Sequence, residues 1–186
     1  MRYYHSNHRS DTHLRITLSA RRGGCTPMLQ DDKEINVVRM ENAVLLPEVI
    51  RLVDEGHTVT LPLRGFSMRP FLEDGRDKAL LRQIAHPEVN QPVLAEIDKG
   101  HYVLHRIVKI DGNHVTLRGD GNLGVEHCEL QDIKALAIGF LRKGRNKPDM
   151  ITDRKWIFYS SCWTRLLPVR RYLLAFHRHI WMKIIY

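Results

Sequence analysis

Three short segments of the chain carry residue types suited to acyl-transfer chemistry, and the first contains a serine. Ser67 lies in the segment GFSMRP, after an apolar run that ends at Leu63. A serine held on rigid backbone at the end of a strand can present its hydroxyl at a surface, although most serines near glycine and proline are turn residues. Because a hydroxyl is a poor nucleophile until a base removes its proton, Ser67 needs a partner elsewhere in the chain.

The second segment, YVLHRIV, supplies a candidate base. Strand alternation places Val103, His105 and Ile107 on one face of this run. A histidine on an apolar face is usually a satisfied core residue. It is also the side chain best suited to take a proton from serine near neutral pH. His105 is therefore the candidate general base for Ser67.

The third segment, RGDGN followed by Glu126, supplies carboxylates. Without a function it is a polar loop after a hairpin. With one, an acidic side chain here holds the imidazole tautomer and stabilises imidazolium, the third role in a catalytic triad. Asp120 and Glu126 are both candidates for that role.

The elements that must position these residues are mainly strands. Apolar residues at helical spacing after residue 42, closed by Gly56, predict one leading helix. Short apolar runs with turn signals between them predict a series of strands, and Asp111-Gly112-Asn113 predicts a hairpin. The expected strands are 58–63, 77–82, 92–97, 102–110, 114–118 and 132–140. We therefore expect a mainly β domain over residues 41–141.

The two flanks differ from this domain in composition. Residues 1–40 carry scattered charges and lack the apolar stretch of a signal peptide, so we expect a disordered extension or an over-extended start. Residues 142–186 combine a strong excess of Lys and Arg with an apolar stripe, which predicts a basic amphipathic helix from about Pro168. Such a helix either lies on an anionic membrane or packs back onto the core.

In this order, the three segments resemble the signal peptidase I superfamily over about residues 57–140. The pattern is GxSMxP, then HR(I/V)V, then GD-x-N, and histidine at the base position is similar to the branch that uses Ser-His-Asp. The resemblance implies a coiled β-barrel catalytic domain with Ser67 as nucleophile and His105 as general base. It favours Glu126 over Asp120 as the triad acid, with Asp120 orienting the site.

The same resemblance assigns the neighbouring site positions. Turn residues beside the serine are Met68 and Pro70, and residues of the site loop are Gly119 and Asn122. The family usually has a serine where this chain has Gly65, and Phe66 follows it. Oxyanion stabilisation would then rest on backbone N–H groups, that of Ser67 among them.

The activity implied is that of a serine endopeptidase that cleaves an extended peptide precursor or leader, with no cofactor and no metal. We expect a cytoplasmic location, with peripheral contact on the inner face of the membrane through residues 156–186. Nucleic acid is not the expected partner, because the positive charge lies in the tail and residues 41–140 are slightly acidic.

Cysteine usage agrees with this compartment. Cys25, Cys128 and Cys162 show no metal-ligand spacing, and their odd number argues against a disulfide framework. The alternative function is a non-enzymatic β module that binds a membrane surface, nucleic acid or protein through its basic tail. A groove that brings the Ser67 hydroxyl to a His105 nitrogen distinguishes the enzyme from the module.

Overall fold

Strands dominate the part of the chain that a computed structural model describes, residues 42–145 and 147–177. The expected N-terminal extension, 1–40, and the end of the tail, 178–186, lie outside the described residues. The helices are α1 Asn42–Asp54, α2 Arg154–Arg165 and α3 Arg170–Phe176, with a short 3-10 turn at Leu130–Asp132. The strands are β1 Val59–Pro62, β2 Lys78–Arg82, β3 Pro92–Asp98, β4 His101–Asp111, β5 His114–Arg118, β6 Glu126–Glu129, β7 Ile133–Leu141 and β8 Asp149–Met150.

These strands form one antiparallel sheet, so the expectation of a mainly β domain is confirmed. The hydrogen-bonded order is β1-β2-β7-β3-β4-β5-β6, with β8 paired to β7. A closed barrel needs its two end strands to pair with each other. In the described chain β1 and β6 end the path without pairing, so the sheet is open, and the coiled barrel implied by the resemblance is not confirmed.

Two apolar clusters hold the sheet and its helices together. In the larger cluster, Leu45, Val49 and Val53 recur at four-residue spacing along one face of α1 and pack on β1, β2 and β7. The smaller cluster joins β3, β4 and β5 and includes Ile107 and Leu117, both fully buried. Strand β4 therefore runs between two buried regions, and its segment 105–107 is buried at every position.

The tail packs partly on this core. Trp156 of α2 stacks on Phe140 of β7, with ring centroids 4.7 Å apart. The tail contains two helices where one was expected from about Pro168. The first, α2, ends at Arg165, because proline disfavours helical backbone in the residue before it, and the expected helix corresponds to α3. None of the described helices has both the length and the apolar character needed to cross a membrane.

Candidate active site

Ser67 lies in the connection between β1 and β2, and carboxylates further along that connection fix its backbone. Gly65 adopts φ +86°, a conformation that favours glycine, and its N–H donates to Asp74 Oδ1 at 2.9 Å. The N–H of Glu73 donates to Asp77 Oδ2 at 3.0 Å. The turn that presents Ser67 is thus tied back at both ends by Asp74 and Asp77, two residues that sequence analysis did not single out.

Asp77 is fully buried and anchors this connection as an anion. Burial raises its pKa, but hydrogen bonds from the Arg76 guanidinium and the Glu73 N–H outweigh burial and lower the pKa below its ordinary value. The backbone carbonyl of Asp77 also accepts from Leu63 N–H at 2.9 Å. The sequence signal for this anchor is the run EDGRD, which combines turn residues with three acids.

The serine turn and the 119–122 loop are in close contact because two glycines lack side chains. Gly121 N–H donates to the Ser67 carbonyl at 2.7 Å. A Cβ on Gly119 would lie 2.5 Å from that same carbonyl oxygen, and a Cβ on Gly121 would lie 2.6 Å from the Phe66 carbonyl. Both glycines are therefore required for the approach of the two loops.

His105 presents its two ring nitrogens to different groups. Its Nδ1 lies 2.7 Å from Glu126 Oε2, and neither atom has another polar partner among the described residues. Its Nε2 lies 3.0 Å from the point that a Gly119 Cβ would occupy, beside the Ser67 carbonyl. The imidazole is 3% exposed and Glu126 is 34% exposed. One edge of the ring thus faces a carboxylate, and the other faces the serine turn.

Burial lowers the pKa of His105 below the ordinary histidine value. The negative charge of Glu126 and its contact with Nδ1 raise the pKa, and Asp120 adds to this, but together they do not cancel the effect of burial. His105 is therefore neutral near neutral pH and has a lone pair available to accept a proton.

Asp120 lies elsewhere, in a buried ion pair. Arg106 donates from Nε to Asp120 Oδ1 at 3.0 Å and from Nη2 to Oδ2 at 2.7 Å. Arg106 also donates to Ser160 Oγ of α2 at 2.8 Å, and Trp163 Nε1 donates to the Asp120 carbonyl at 2.9 Å. Between the two acids weighed from the sequence, the structure brings Glu126 to the imidazole and uses Asp120 to join the site loop to α2.

Helix α2 was missed as a supporting element of the site. Its buried residues Trp156, Ser160 and Trp163 recur at helical spacing, which is a signal present in the sequence. Phe71, four residues after Ser67, contacts Trp163 edge-on with ring centroids 5.2 Å apart. The same helix therefore packs against the serine turn and against the loop that follows β5.

The remaining predicted turn residues surround Ser67 in different environments. Met68 is 5% exposed and belongs to the larger apolar cluster. Phe66 is exposed, and the Arg69 guanidinium lies over its ring at 4.0 Å. Pro70 follows a cis peptide bond from Arg69. The turn is therefore anchored in the core on one side of Ser67 and exposed on the other.

A cavity of about 260 Å³ connects these groups. Ser67, His105, Asn122 and Glu126 all line it, and its apolar walls come from Leu63, Leu72, Tyr102 and Leu104. In the described part of the chain, no hydrogen bond joins the Ser67 hydroxyl to His105, and the Ser67 N–H donates to no acceptor. Catalytic hydrogen bonds are often long before substrate binds, and a free N–H is a suitable oxyanion donor.

Other reactive groups are less suited to chemistry. Burial raises the pKa of the Cys128 thiol to about 11, so it is protonated and a poor nucleophile near neutral pH. Cys162 is also a free thiol. Within 42–145 and 147–177, no three His, Cys, Asp or Glu side chains lie close enough together to hold a metal ion.

Comparison with protein-family models finds no match, and comparison with curated proteins finds none either. The chemistry of the site is therefore inferred from its own residues. They are a serine, an imidazole and a carboxylate on one cavity, with the imidazole between a carboxylate and the serine turn.

Proposed function

We propose that the chain is a serine endopeptidase resembling signal peptidase, which cleaves a peptide precursor or leader. The observation that carries this proposal is the orientation of His105, with Nδ1 at 2.7 Å from Glu126 and Nε2 at the edge facing the Ser67 turn. An imidazole between an acid and a serine is the arrangement that activates a hydroxyl. A fold like the coiled catalytic domain of that superfamily belongs to the same proposal.

In the proposed reaction, His105 takes the Ser67 proton as the hydroxyl oxygen attacks the scissile carbonyl. The backbone N–H of Ser67 donates to the oxyanion, and Glu126 stabilises the imidazolium. His105 then returns the proton to the leaving amine, which releases one product and leaves an acyl-enzyme. A water molecule, deprotonated by the same imidazole, hydrolyses the ester and restores Ser67.

The proposed substrate is an extended peptide with small residues just before the cut. A cavity of about 260 Å³ is smaller than most sites for drug-sized ligands, which occupy roughly 300–1,000 Å³, so its size favours short side chains. Its lining combines apolar residues with polar side chains, which suits a peptide whose backbone pairs with a strand edge while alternate side chains enter the cavity.

A second candidate function, contact with the inner face of a membrane through residues 156–186, is favoured by the surface of α2 and α3. Phe158, Tyr172 and Phe176 are each more than half exposed. Lys155 and Arg171 are exposed on the same two helices. Exposed aromatic and basic side chains on adjacent helices suit an anionic lipid surface. This function does not need Ser67 and places the chain at a membrane as a non-enzymatic module or as a peptidase.

Cleavage of a peptide library separates the two functions. Wild type, Ser67→Ala and the control Ser161→Ala are incubated with peptides that vary at the positions before the cut, and products are identified by mass spectrometry. We expect wild type and Ser161→Ala to cleave the same peptides and Ser67→Ala to cleave none. Equal cleavage by Ser67→Ala would overturn the peptidase proposal, and binding of all three proteins to anionic vesicles without cleavage would favour the module.

A further inference from the structure

Three arginines and one carboxylate meet in a cleft outside the proposed active site. Arg106 comes from β4, Arg118 from the end of β5 and Arg170 from the start of α3. Asp120 is the single acidic side chain among the residues that line the cleft. The lining therefore carries three positive charges and one negative charge.

Both oxygens of the one carboxylate are paired with the same arginine. Both oxygens of Asp120 accept from Arg106, at 3.0 Å and 2.7 Å. Within the described ranges, neither Arg118 nor Arg170 forms an ion pair with any acid. Two guanidinium groups thus remain in the cleft without an ion-pair partner among the described residues.

The uncompensated arginines are also short of hydrogen-bond acceptors. Nε of Arg118 and Nε of Arg170 are both buried without a partner among the described residues. Arg170 is 4% exposed; its guanidinium donates from Nη2 to the Trp163 carbonyl at 2.9 Å and packs over the Trp163 ring. These contacts account for one side of the group and leave Nε unpaired, which is costly for a buried donor.

The environment of the cleft disfavours the positive charge of Arg170, whose pKa lies below the ordinary arginine value. Burial lowers its pKa, Asp120 raises it, and the nearby positive charges of Arg118 and Arg106 lower it further. An anion in the cleft would offset the repulsion among the three guanidinium groups and would supply hydrogen-bond acceptors for the unpaired Nε atoms.

The dimensions of the cleft select the kind of anion. Including its open mouth it occupies about 270 Å³, but the space open to a water-sized sphere is only about 20 Å³. That inner space holds roughly one water-sized group, so it admits one oxygen of an anion whose other atoms stay at the open mouth, and it excludes a ring. Leu167 at the cleft is 39% exposed, which leaves an apolar rim beside the cationic groups.

We propose that this cleft binds a phosphate group, free or carried by a lipid headgroup, through the guanidinium groups of Arg118 and Arg170. Guanidinium donors form charge-assisted, often paired hydrogen bonds to phosphate oxygens. The site is independent of the proposed peptidase activity, although Asp120 connects it to the loop that contacts the serine turn. The bound group joins β5 to α3, so we expect it to stabilise the fold.

Phosphate binding is tested on the full chain by calorimetric titration and thermal unfolding, with sodium chloride at matched ionic strength as the baseline. The variants are Arg118→Gln, which leaves the contacts of Trp163 intact, and Arg170→Lys, which keeps the charge but loses the paired N–H donors of the guanidinium. The control is Arg82→Gln, which removes an exposed charge from β2. We expect phosphate to raise the unfolding temperature of wild type and control. In both cleft variants we expect affinity to fall by at least about tenfold, as for loss of a charge-assisted hydrogen bond.

Vesicles separate the two sources of phosphate. Phosphatidylcholine vesicles with and without phosphatidic acid are compared in flotation assays with the same four proteins. Flotation that requires phosphatidic acid, is lost in Arg118→Gln and is kept in Arg82→Gln assigns a lipid headgroup. A response to inorganic phosphate alone that is lost in Arg118→Gln assigns a free anion. The proposal is overturned if wild type responds to neither, or if all four proteins respond equally to both.

Discussion

Glu126→Gln is the substitution that most sharply separates a catalytic pair from a structural contact. It keeps the size and shape of the side chain but removes the negative charge that lies 2.7 Å from His105 Nδ1. In the proposed mechanism that charge stabilises the imidazolium formed when Ser67 loses its proton. The substitution therefore acts mainly on the transition state, and we expect a fall in kcat with little change in KM.

The size of the fall follows from the burial of the pair. A hydrogen bond to a charged group contributes about 1.5–3 kcal/mol, which corresponds to roughly 10- to 150-fold in rate. His105 is almost fully buried, but Glu126 is 34% exposed, so water screens part of its charge. We therefore expect kcat/KM to fall toward the lower end, by roughly 10- to 30-fold.

The pH profile provides a readout that a purely structural role would not change. Burial lowers the pKa of His105 and Glu126 opposes that shift, so removing the Glu126 charge lowers the pKa further. The neutral base then persists to lower pH, and the acid limb of the kcat/KM profile moves to lower pH while its maximum falls. The free energy of unfolding changes in the same sense. Because the folded state resists protonation of His105, the protein loses stability as pH drops below the ordinary histidine pKa, and Glu126→Gln should lose more than wild type.

The assay measures initial rates on a peptide cleaved by wild type, from about pH 4 to pH 9, with Glu88→Gln as an exposed carboxylate control. The control should reproduce the wild-type profile. An unchanged rate in Glu126→Gln, or an acid limb that moves to higher pH, would refute the assignment of Glu126 to His105. A lower rate with an unmoved limb would reduce Glu126 to a structural contact.

Two further substitutions test the packing around the site. Gly119→Ala places a methyl 2.5 Å from the Ser67 carbonyl oxygen, so we expect it to cost about 1–3 kcal/mol in unfolding free energy and to abolish activity. The control Gly124→Ala has open space around its new methyl and should change neither quantity in denaturation and activity assays. Trp163→Phe loses the hydrogen bond to the Asp120 carbonyl and should cost about 0.5–1.5 kcal/mol in urea denaturation; an unchanged midpoint would contradict the support of the site loop by α2.

Local patterns in the sequence predict much of the sheet, and the order of three short motifs singles out Ser67 and His105 as candidate site residues. The apolar run around His105 predicts β4, and Asp111-Gly112-Asn113 predicts its hairpin with β5. The coiled barrel implied by the resemblance is not confirmed, because closure depends on pairing between β1 and β6, which are far apart in the chain and carry no local signal of contact. Strand content is thus local information, and sheet closure is not.

The choice between the two acids shows the same limit. Glu126 pairs with Leu117 across β5 and β6, and this register places its side chain at the imidazole. Asp120 is only a few residues away along the chain but is held by Arg106 and by α2. Sequence spacing favours Glu126 only through the family resemblance, because the arginine partner of Asp120 and the helix behind it come together only in the folded chain.

Covalent labelling of Ser67 tests the central proposal most directly. Folded wild type, Ser67→Ala, His105→Ala and the exposed-histidine control His86→Ala are treated with a serine-directed acylating probe, and the labelled peptide is identified by mass spectrometry. We expect the probe on Ser67 in wild type and His86→Ala, with a rate that rises as His105 loses its proton, and no label in the other two variants. Equal labelling of Ser67→Ala or His105→Ala, or no label on Ser67 in folded wild type, would contradict a serine activated by His105.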